Sequence, residues 1–226
     1  MAGVRCDAQL TLRIDGAPVR TERGELQWTD YGISGIPVFQ FSREAAYALQ
    51  KKRQVTVGID LMPDGAAAVS GGTSGGNTGG YFDEDEGFWK ERWDKQAEQT
   101  MDQFVTGLVN KKIGLLILKL SGIRETDRAA GVSAACRKKL TKLCRSFPVE
   151  IKGTNAYEQA QVCAGGVDFG EIMPTLQSKL VPGLFFAGEI LDIDGICGGY
   201  NLQWAWSSGI VAGQAAAERE RYGHLK

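Results

Sequence analysis

The N-terminal third of the chain alternates apolar and polar positions with a period of two. Residues 7–14 alternate strictly, and residues 55–62 repeat the pattern. Because this period places successive side chains on opposite faces, both runs predict half-buried β-strands. Asp15-Gly16 follows the first run directly and is typical of a two-residue hairpin turn, leading into Val19.

Two more short runs and a helix complete this region. Glu25–Thr29 and Ile36–Phe39 are predicted strands. A short helix is predicted at Ser42–Lys51, with Ser42 as its N-cap and Glu44 in its first turn. Several short strands separated by turn residues are typical of a small antiparallel β-barrel.

The hydrophobic period becomes helical after Phe88. An apolar stripe with spacings of three and four predicts a helix ending at about Asn110, and Ile113–Leu120 predicts a more buried one. A third helix is predicted at about Ser133–Arg145, followed by a strand at Val149–Ile151. The stripe consists of Met101, Phe104, Val105, Leu108 and Val109.

The C-terminal part joins an apolar run to a glycine pair and a long helical pattern. A Pro182-Gly183 turn leads into Leu184–Ala187, which predicts a strand buried on both faces of a parallel sheet. Asn201, after Gly198-Gly199, is the predicted N-cap of a helix with small residues along one face. The open helix start, with unpaired N–H groups and the positive end of the macrodipole, favours an electron-rich ligand atom.

These patterns predict an α+β protein with a β-rich region at 1–68 and a helical region at 88–147. A flexible Gly-rich loop is predicted between them at 69–87. Its glycines form neither a GxGxxG nor a Walker pattern, so a phosphate cradle is not indicated. The acidic run Asp83–Glu86 is interpreted as solvated charge rather than a cation site.

Composition narrows the class of protein. The 226 residues include 26 basic and 27 acidic side chains, a balance that gives no global field for nucleic acid or an anionic membrane. No signal peptide or membrane-spanning run is recognised, so we expect a cytoplasmic protein. Five cysteines without a CxxC motif argue against a disulfide framework or zinc site. The single histidine, His224, makes a His-centred triad or metal site very hard to build.

Three long stretches of this sequence resemble one family. They are GELQWTDYGISGIPVFQFSR at 24–43, GTNAYEQAQVCAGGV at 153–167 and GLFFAGEILDIDGICGGYNLQWAWSSGIVAG at 183–213. They are similar to the BaiN/RdsA-like FAD-dependent oxidoreductases, which include aminoacetone-oxidase-like flavoproteins. The resemblance covers about residues 1–68 and 88–217. Family members open with a Rossmann GxGxxG segment, and this sequence contains none.

The resemblance implies a fold plan and a reaction class. Residues 1–152 would be a barrel-plus-helices insertion domain that binds substrate, and residues 153–226 the closing part of the FAD-binding α/β domain. The chain would then belong to an enzyme that passes hydride or electrons between a small organic substrate and FAD, with NAD(P)H as a candidate donor. No metal is expected, and no catalytic acid or base is assigned.

The resemblance also implies cofactor-binding residues. The helix start would face the pyrimidine edge of the flavin, and Gly188 and Glu189 would lie near the ribityl chain and pyrophosphate. Asp192 and Asp194 would bind ribityl hydroxyls or, equally well, cap their loop. A second flavin-facing stretch at 164–167 reads otherwise as an ordinary turn. The complete set is Ala164, Gly165, Gly166, Val167, Gly188, Glu189, Asp192, Gly198, Gly199, Tyr200, Asn201 and Leu202.

Several residues have competing interpretations. Cys163 and Cys197 flank flavin-like motifs, but buried, inert thiols are favoured over redox thiols because no nearby cation lowers their pKa. Trp204 and Trp206 are interpreted as core or interface residues rather than ring-stacking ones. Three more side chains are candidates to line a substrate cavity: Tyr31, Ser34 and Tyr47.

A second hypothesis is a non-catalytic binding module, an excised insertion domain that recognises a ligand or partner. In that case the apolar segment at 184–187 would lack its parallel neighbours and expose an edge. We would then expect a homodimer formed through residues 184–217.

Overall fold

The computed structural model describes residues 1–64 and 81–223. The chain divides into two compact units, Met1–Gly153 (unit 1) and Thr154–Lys226 (unit 2). The assignment of residues 1–152 to an insertion domain and 153–226 to part of an FAD-binding domain stays a prediction. Most of the predicted Gly-rich loop, residues 69–80, lies outside the described residues.

Unit 1 is built on one five-stranded antiparallel sheet. The predicted hairpin is confirmed: Asp15 and Gly16 have φ of 50° and 82°, as a two-residue turn with two left-handed positions requires. The second strand runs unbroken through the two segments predicted separately at Val19 and Glu25–Thr29. The strands, in the order β3-β2-β1-β4-β5, are β1 Arg5–Ile14, β2 Ala17–Trp28, β3 Ile33–Ser34, β4 Val55–Asp60 and β5 Phe147–Glu150.

The sheet stays open among the described residues, because β3 and β5 lie at opposite edges and pair only with β2 and β4. The α+β class with an antiparallel sheet is therefore confirmed, and the closed barrel is not what these strands form. The short β3 explains the open edge, since its two residues offer a partner little backbone.

The predicted strand Ile36–Phe39 is wrong, because these residues begin helix α1, Ile36–Gln50. Gly35, with φ of 110°, turns the chain out of β3, and a proline in the first helical turn is compatible with the missing N–H. Ser42 accordingly caps nothing and donates its Oγ hydrogen to the Phe39 carbonyl.

Five more α-helices follow in the described residues. Asn110 does not end a helix but begins one, since its side chain accepts from the Lys112 N–H. The third predicted helix is confirmed, with Ser133 as its N-cap. Residues 81–87 were predicted as loop and belong instead to a helix. The helices are α2 Tyr81–Lys95, α3 Met101–Val105, α4 Lys111–Ser121, α5 Ala134–Arg145 and α6 Tyr200–Gly223.

The core of unit 1 joins one face of the sheet to the helices α1–α5. Alternate residues of β1 and β4 are buried, as their period of two predicts. The apolar stripe found in the sequence is buried at its first four members and partly buried at Val109, and its first three members lie in a helix. Two aromatic rings stack in the helical part of this core: Trp93 lies on Phe104, with 4.0 Å between the ring centroids.

Unit 2 consists of short 3₁₀ turns, extended segments and α6. Its core cluster contains Ile172, Leu176, Leu191 and Ala212. The predicted buried strand Leu184–Ala187 is wrong: an isolated bridge joins Phe185 to Gln177, and the Leu184 residue is 42% exposed. No second strand of the described part pairs with this run, so its apolar side chains stay partly in solvent.

Candidate cofactor site

Two of the sequence-predicted segments lie side by side in unit 2. An isolated parallel bridge pairs Val167 with Leu191. The Val167 N–H donates to the Ile190 carbonyl at 2.8 Å, and the Asp192 N–H donates to the Val167 carbonyl at 3.1 Å. The structure thus brings residues 164–167 and 188–192, more than 20 positions apart in sequence, into direct contact.

Gly166 allows this close approach. A Cβ built on Gly166 would lie 2.4 Å from the Ile190 carbonyl oxygen, and its φ of 148° is disfavoured for residues with a side chain. Gly165 also has a positive φ, but the space around it is open. The Gly-Gly pair therefore has two different roles, a contact at the second glycine and a backbone turn at the first.

Two carboxylates complete the contact between these segments. Glu189 Oε1 accepts from the Cys163 N–H at 2.8 Å, and Asp192 Oδ1 accepts from the Gly165 N–H at 3.1 Å. Asp192 therefore holds the segment that contains Gly165, a contact that neither of its two predicted roles described.

Helix α6 holds the other side of Gly188. The Gly188 N–H donates to Ser208 Oγ at 2.8 Å, and Trp204 Nε1 donates to the Gly188 carbonyl at 3.2 Å. Ser208 is buried, and its hydroxyl lies 2.6 Å from the Trp204 carbonyl, which accepts from it. Trp204 is thus a hydrogen-bonding core residue, whereas Trp206 on the same helix is exposed. Sequence reasoning missed the role of Ser208, because the sequence identifies it only as one of the small residues along one face of this helix.

The start of α6 differs from the prediction. Asn201 is not an N-cap; it lies inside the helix, where Oδ1 accepts from the Gly195 N–H and Nδ2 donates to the Gly195 carbonyl. Gly199 precedes the helix and its carbonyl accepts from Gln203, the position that a capping residue occupies. The first-turn N–H groups of Tyr200, Asn201 and Leu202 have no intrahelical acceptor, because an α-helix leaves its first donors unused.

Most of the predicted cofactor-binding residues are exposed, and three are half-buried: Val167, Gly188 and Asn201. Gly198 and Gly199 have φ of 126° and 91°. A Cβ on Gly199 would meet nothing within 4 Å, whereas a Cβ on Gly198 would lie 3.6 Å from the Tyr200 ring. The exposed members are Ala164, Gly165, Gly166, Glu189, Asp192, Gly198, Gly199, Tyr200 and Leu202.

The cysteines of unit 2 are less buried than predicted. Cys163 and Cys197 are each partly exposed, because they lie in extended segments of a unit with a small core. A hydrogen bond to Cys163 is the main cause that raises the pKa of the Tyr157 hydroxyl. All five cysteines are free thiols, and no group of three potential metal ligands occurs within residues 1–64 and 81–223.

The substrate-site candidates of unit 1 do not come together in one cavity. Tyr31 lines a cleft of about 300 Å³ near the start of β1, and neither Ser34 nor Tyr47 belongs to its lining. A second cleft of about 310 Å³ is lined by Cys6, Asp7 and the turn before α4. Burial is the largest influence on the Cys6 thiol and raises its pKa. No sequence pattern predicted this second cleft, because its two walls are about 100 residues apart.

The fold and these motifs define a family. A sequence model of the HI0933-like protein Rossmann domain matches residues 34–215, so the chain belongs to this family. The family membership predicted from the three sequence stretches is thereby confirmed.

Three curated relatives are similar to the chain. A 3-dehydro-bile acid delta(4,6)-reductase of Clostridium scindens is 40% identical over 219 residues, 96% of this chain and 50% of the relative. A ribosomal RNA dihydrouridine synthase of Haemophilus influenzae is 32% identical over 185 residues, 81% of this chain and 40% of the relative. A ribosomal RNA dihydrouridine synthase of Escherichia coli is 48% identical over 67 residues, which are 29% of this chain and 17% of the relative. The chain therefore spans half or less of these relatives.

No helix of the described residues is both long enough and apolar enough to cross a membrane.

Proposed function

We propose that the chain is part of an FAD-dependent oxidoreductase that reduces a carbon–carbon double bond conjugated to a carbonyl group. The observation that carries the proposal is the meeting of residues 164–167 with 188–192, tied through Gly188 to α6. Both activity names among the relatives describe this one change, since uridine and a 3-oxo-Δ4 steroid each contain a double bond conjugated to a carbonyl.

The residues present fit a flavin. The free N–H groups at the start of α6 are the donors that an electron-rich ring edge needs, and the glycines before them let a planar group approach the backbone. FAD, when bound, would supply the hydride-carrying ring. This chain's residues would bind and orient it: Gly199, Tyr200, Asn201 and Leu202 through backbone N–H groups, with Gly165 and Gly166 facing it from the second segment.

The same helix start explains how reduction would be favoured. Negative charge accumulates at the pyrimidine edge of a flavin as it is reduced, and the positive end of a 24-residue helix stabilises such charge. We assign no catalytic acid or base, since we identify no proton-transfer group among the described side chains near the start of α6.

A small organic enone is the proposed substrate, with NAD(P)H as the proposed donor. The balance of 26 basic and 27 acidic residues favours a small molecule over RNA, and the bile-acid relative is similar along more of the chain than the RNA-modifying ones. A cytoplasmic location stays a prediction, which fractionation of cells would check.

A second candidate function is a non-catalytic binding module. It is favoured by the compactness of unit 1, which has a sheet and a hydrophobic core of its own. Such a module would bind ligand or partner without retaining a flavin.

Absorbance spectroscopy tests the proposal. FAD is added to the purified chain, and gel filtration then shows whether a flavin band is retained; a longer chain with a GxGxxG segment is measured in parallel. If either chain retains flavin, the flavin is reduced anaerobically with NAD(P)H and then mixed with a 3-oxo-4-ene steroid or, separately, with a uridine-containing RNA. We expect the steroid to reoxidise the flavin and the RNA to leave it reduced. Flavin retained by neither chain would contradict the proposal and favour the binding module.

A variant pair ties flavin retention to the helix start. Gly199→Ala should weaken FAD binding, because φ of 91° disfavours any residue with a side chain and the first turn would shift. Gly209→Ala is the matched control on the same helix, since its Cβ meets nothing within 4 Å and its φ is not positive. Equal affinities in the two variants would argue against a site at this helix start.

A further inference from the structure

The segment that contains Gly165 and Gly166 directs alternate backbone N–H groups toward residues 188–192. The N–H groups of Cys163, Gly165 and Val167 donate to Glu189 Oε1, Asp192 Oδ1 and the Ile190 carbonyl, in that order. The positive φ values of Gly165 and Gly166, 98° and 148°, show that this segment is not a regular strand. The result is a three-rung ladder in which two rungs use carboxylate oxygens in place of backbone carbonyls.

The facing backbone explains why side chains replace carbonyls. Residues Gly188–Ile190 form a 3₁₀ turn rather than a strand. The Gly188 carbonyl already accepts from the Leu191 N–H and from Trp204 Nε1. Because a 3₁₀ turn does not present its carbonyls in a row along one edge, only Ile190 supplies a backbone rung, and the carboxylates reach across for the other two.

We propose that Glu189 and Asp192 are positioning residues, which hold the flavin-facing segment 163–167 by its N–H groups instead of acting through contact with the cofactor. This inference rests on the proposed function only for the identity of the ligand. The ladder itself is a property of this chain, so it can be measured without flavin.

Exchange of the amide hydrogens of Cys163 and Gly165, followed by NMR in the flavin-free chain, tests the ladder. Glu189→Ala should speed exchange at Cys163, and Asp192→Ala at Gly165, each by about tenfold, because the amide loses a charge-assisted acceptor. Glu189→Gln and Asp192→Asn keep an oxygen acceptor and should stay within about twofold of the unaltered chain.

The matched control is Glu218→Ala, which removes an exposed carboxylate of α6 and should leave both amides unchanged. Alanine variants that exchange like the unaltered chain would overturn the proposal. So would amide variants that exchange as fast as the alanine ones.

An FAD titration of the same variants separates this inference from the proposed function. If the unaltered chain binds FAD, Glu189→Gln should keep its affinity and Glu189→Ala should lose about tenfold. Loss of affinity in Glu189→Gln with normal exchange would mean that Glu189 acts at the cofactor, and would overturn the proposal. If no FAD binds, the proposed function fails for this chain, and the exchange rates alone decide the inference.

Discussion

The close contact at Gly166 makes a quantitative prediction. In Gly166→Ala the new Cβ would lie 2.4 Å from the Ile190 carbonyl oxygen and 3.0 Å from its carbon, both backbone atoms that a rotamer change cannot move. The segments must separate, which loses the bonds from Val167 N–H and from Asp192 N–H, each worth about 1 kcal/mol. Adding about 1–3 kcal/mol for the unfavourable φ, we expect a loss of about 3–5 kcal/mol.

Two other glycines distinguish the destabilising effect of the close contact from that of the backbone strain. Gly165→Ala has a positive φ but open space around its Cβ, so only the strain of about 1–2 kcal/mol applies. Gly153→Ala has open space and no positive φ, so it should change the free energy of unfolding by less than about 0.5 kcal/mol. The expected order of destabilisation is therefore Gly166, Gly165, Gly153.

Hydrogen exchange at Leu191 measures these changes in unit 2 itself. Leu191 is fully buried, and its N–H donates to the Gly188 carbonyl, so its exchange reports opening of the contact. If the opening free energy is smaller than the expected loss, Gly166→Ala should abolish protection at Leu191. Equal protection in Gly165→Ala and Gly166→Ala would refute the argument that the carbonyl contact, rather than the φ value, requires glycine.

Four further predictions concern other parts of the chain. Gly35→Ala should destabilise unit 1 by more than about 3 kcal/mol in urea unfolding, because its Cβ would lie 2.3 Å from a carbonyl oxygen of β2, whereas Gly131→Ala, with open space, should be near neutral. Burial raises the pKa of Cys144 from its ordinary 9.0 to about 12, so iodoacetamide at pH 8.5 should label the half-exposed Cys136 and spare Cys144. Because the unfolded thiol releases its proton first, the free energy of unfolding should fall as pH rises from about 9 toward 12. Finally, if the chain is a non-catalytic binding module, we expect it to dimerise or exchange strands through residues 184–217, and unchanged oligomeric size in gel filtration of a chain ending at Pro182 would contradict this.

The local elements of unit 1 were predictable where pattern and turn chemistry agreed. Strict alternation in β1 and β4, with Asp15-Gly16 between β1 and β2, left one interpretation. Ile36–Phe39 failed because four apolar residues fit a strand or a helix equally well. The deciding contact is Gly35 against the backbone of Glu25, ten positions away, which no local pattern shows.

The candidate site was predictable as a set of segments but not as an arrangement. Gly165 and Asp192 were named from motifs, yet their hydrogen bond depends on a 3₁₀ turn at 188–190 that removes backbone acceptors. Asn201 has the right chemistry for an N-cap, but the helix starts two residues earlier than predicted and the Asn201 side chain turns back to Gly195. Such outcomes follow from backbone geometry that residue type alone does not determine.

The separate cores of the two units have a consequence for the life of the protein in a cell. Unit 1 holds the large described core, whereas the cluster of unit 2 is built around Leu191 and three other buried residues. A transient opening of unit 2 need not disturb unit 1, so proteases that act on opened segments would meet the candidate site first. Molecules damaged there would still look folded in bulk measurements, and inherited changes at Gly166 would lower the amount of competent protein without changing the melting temperature.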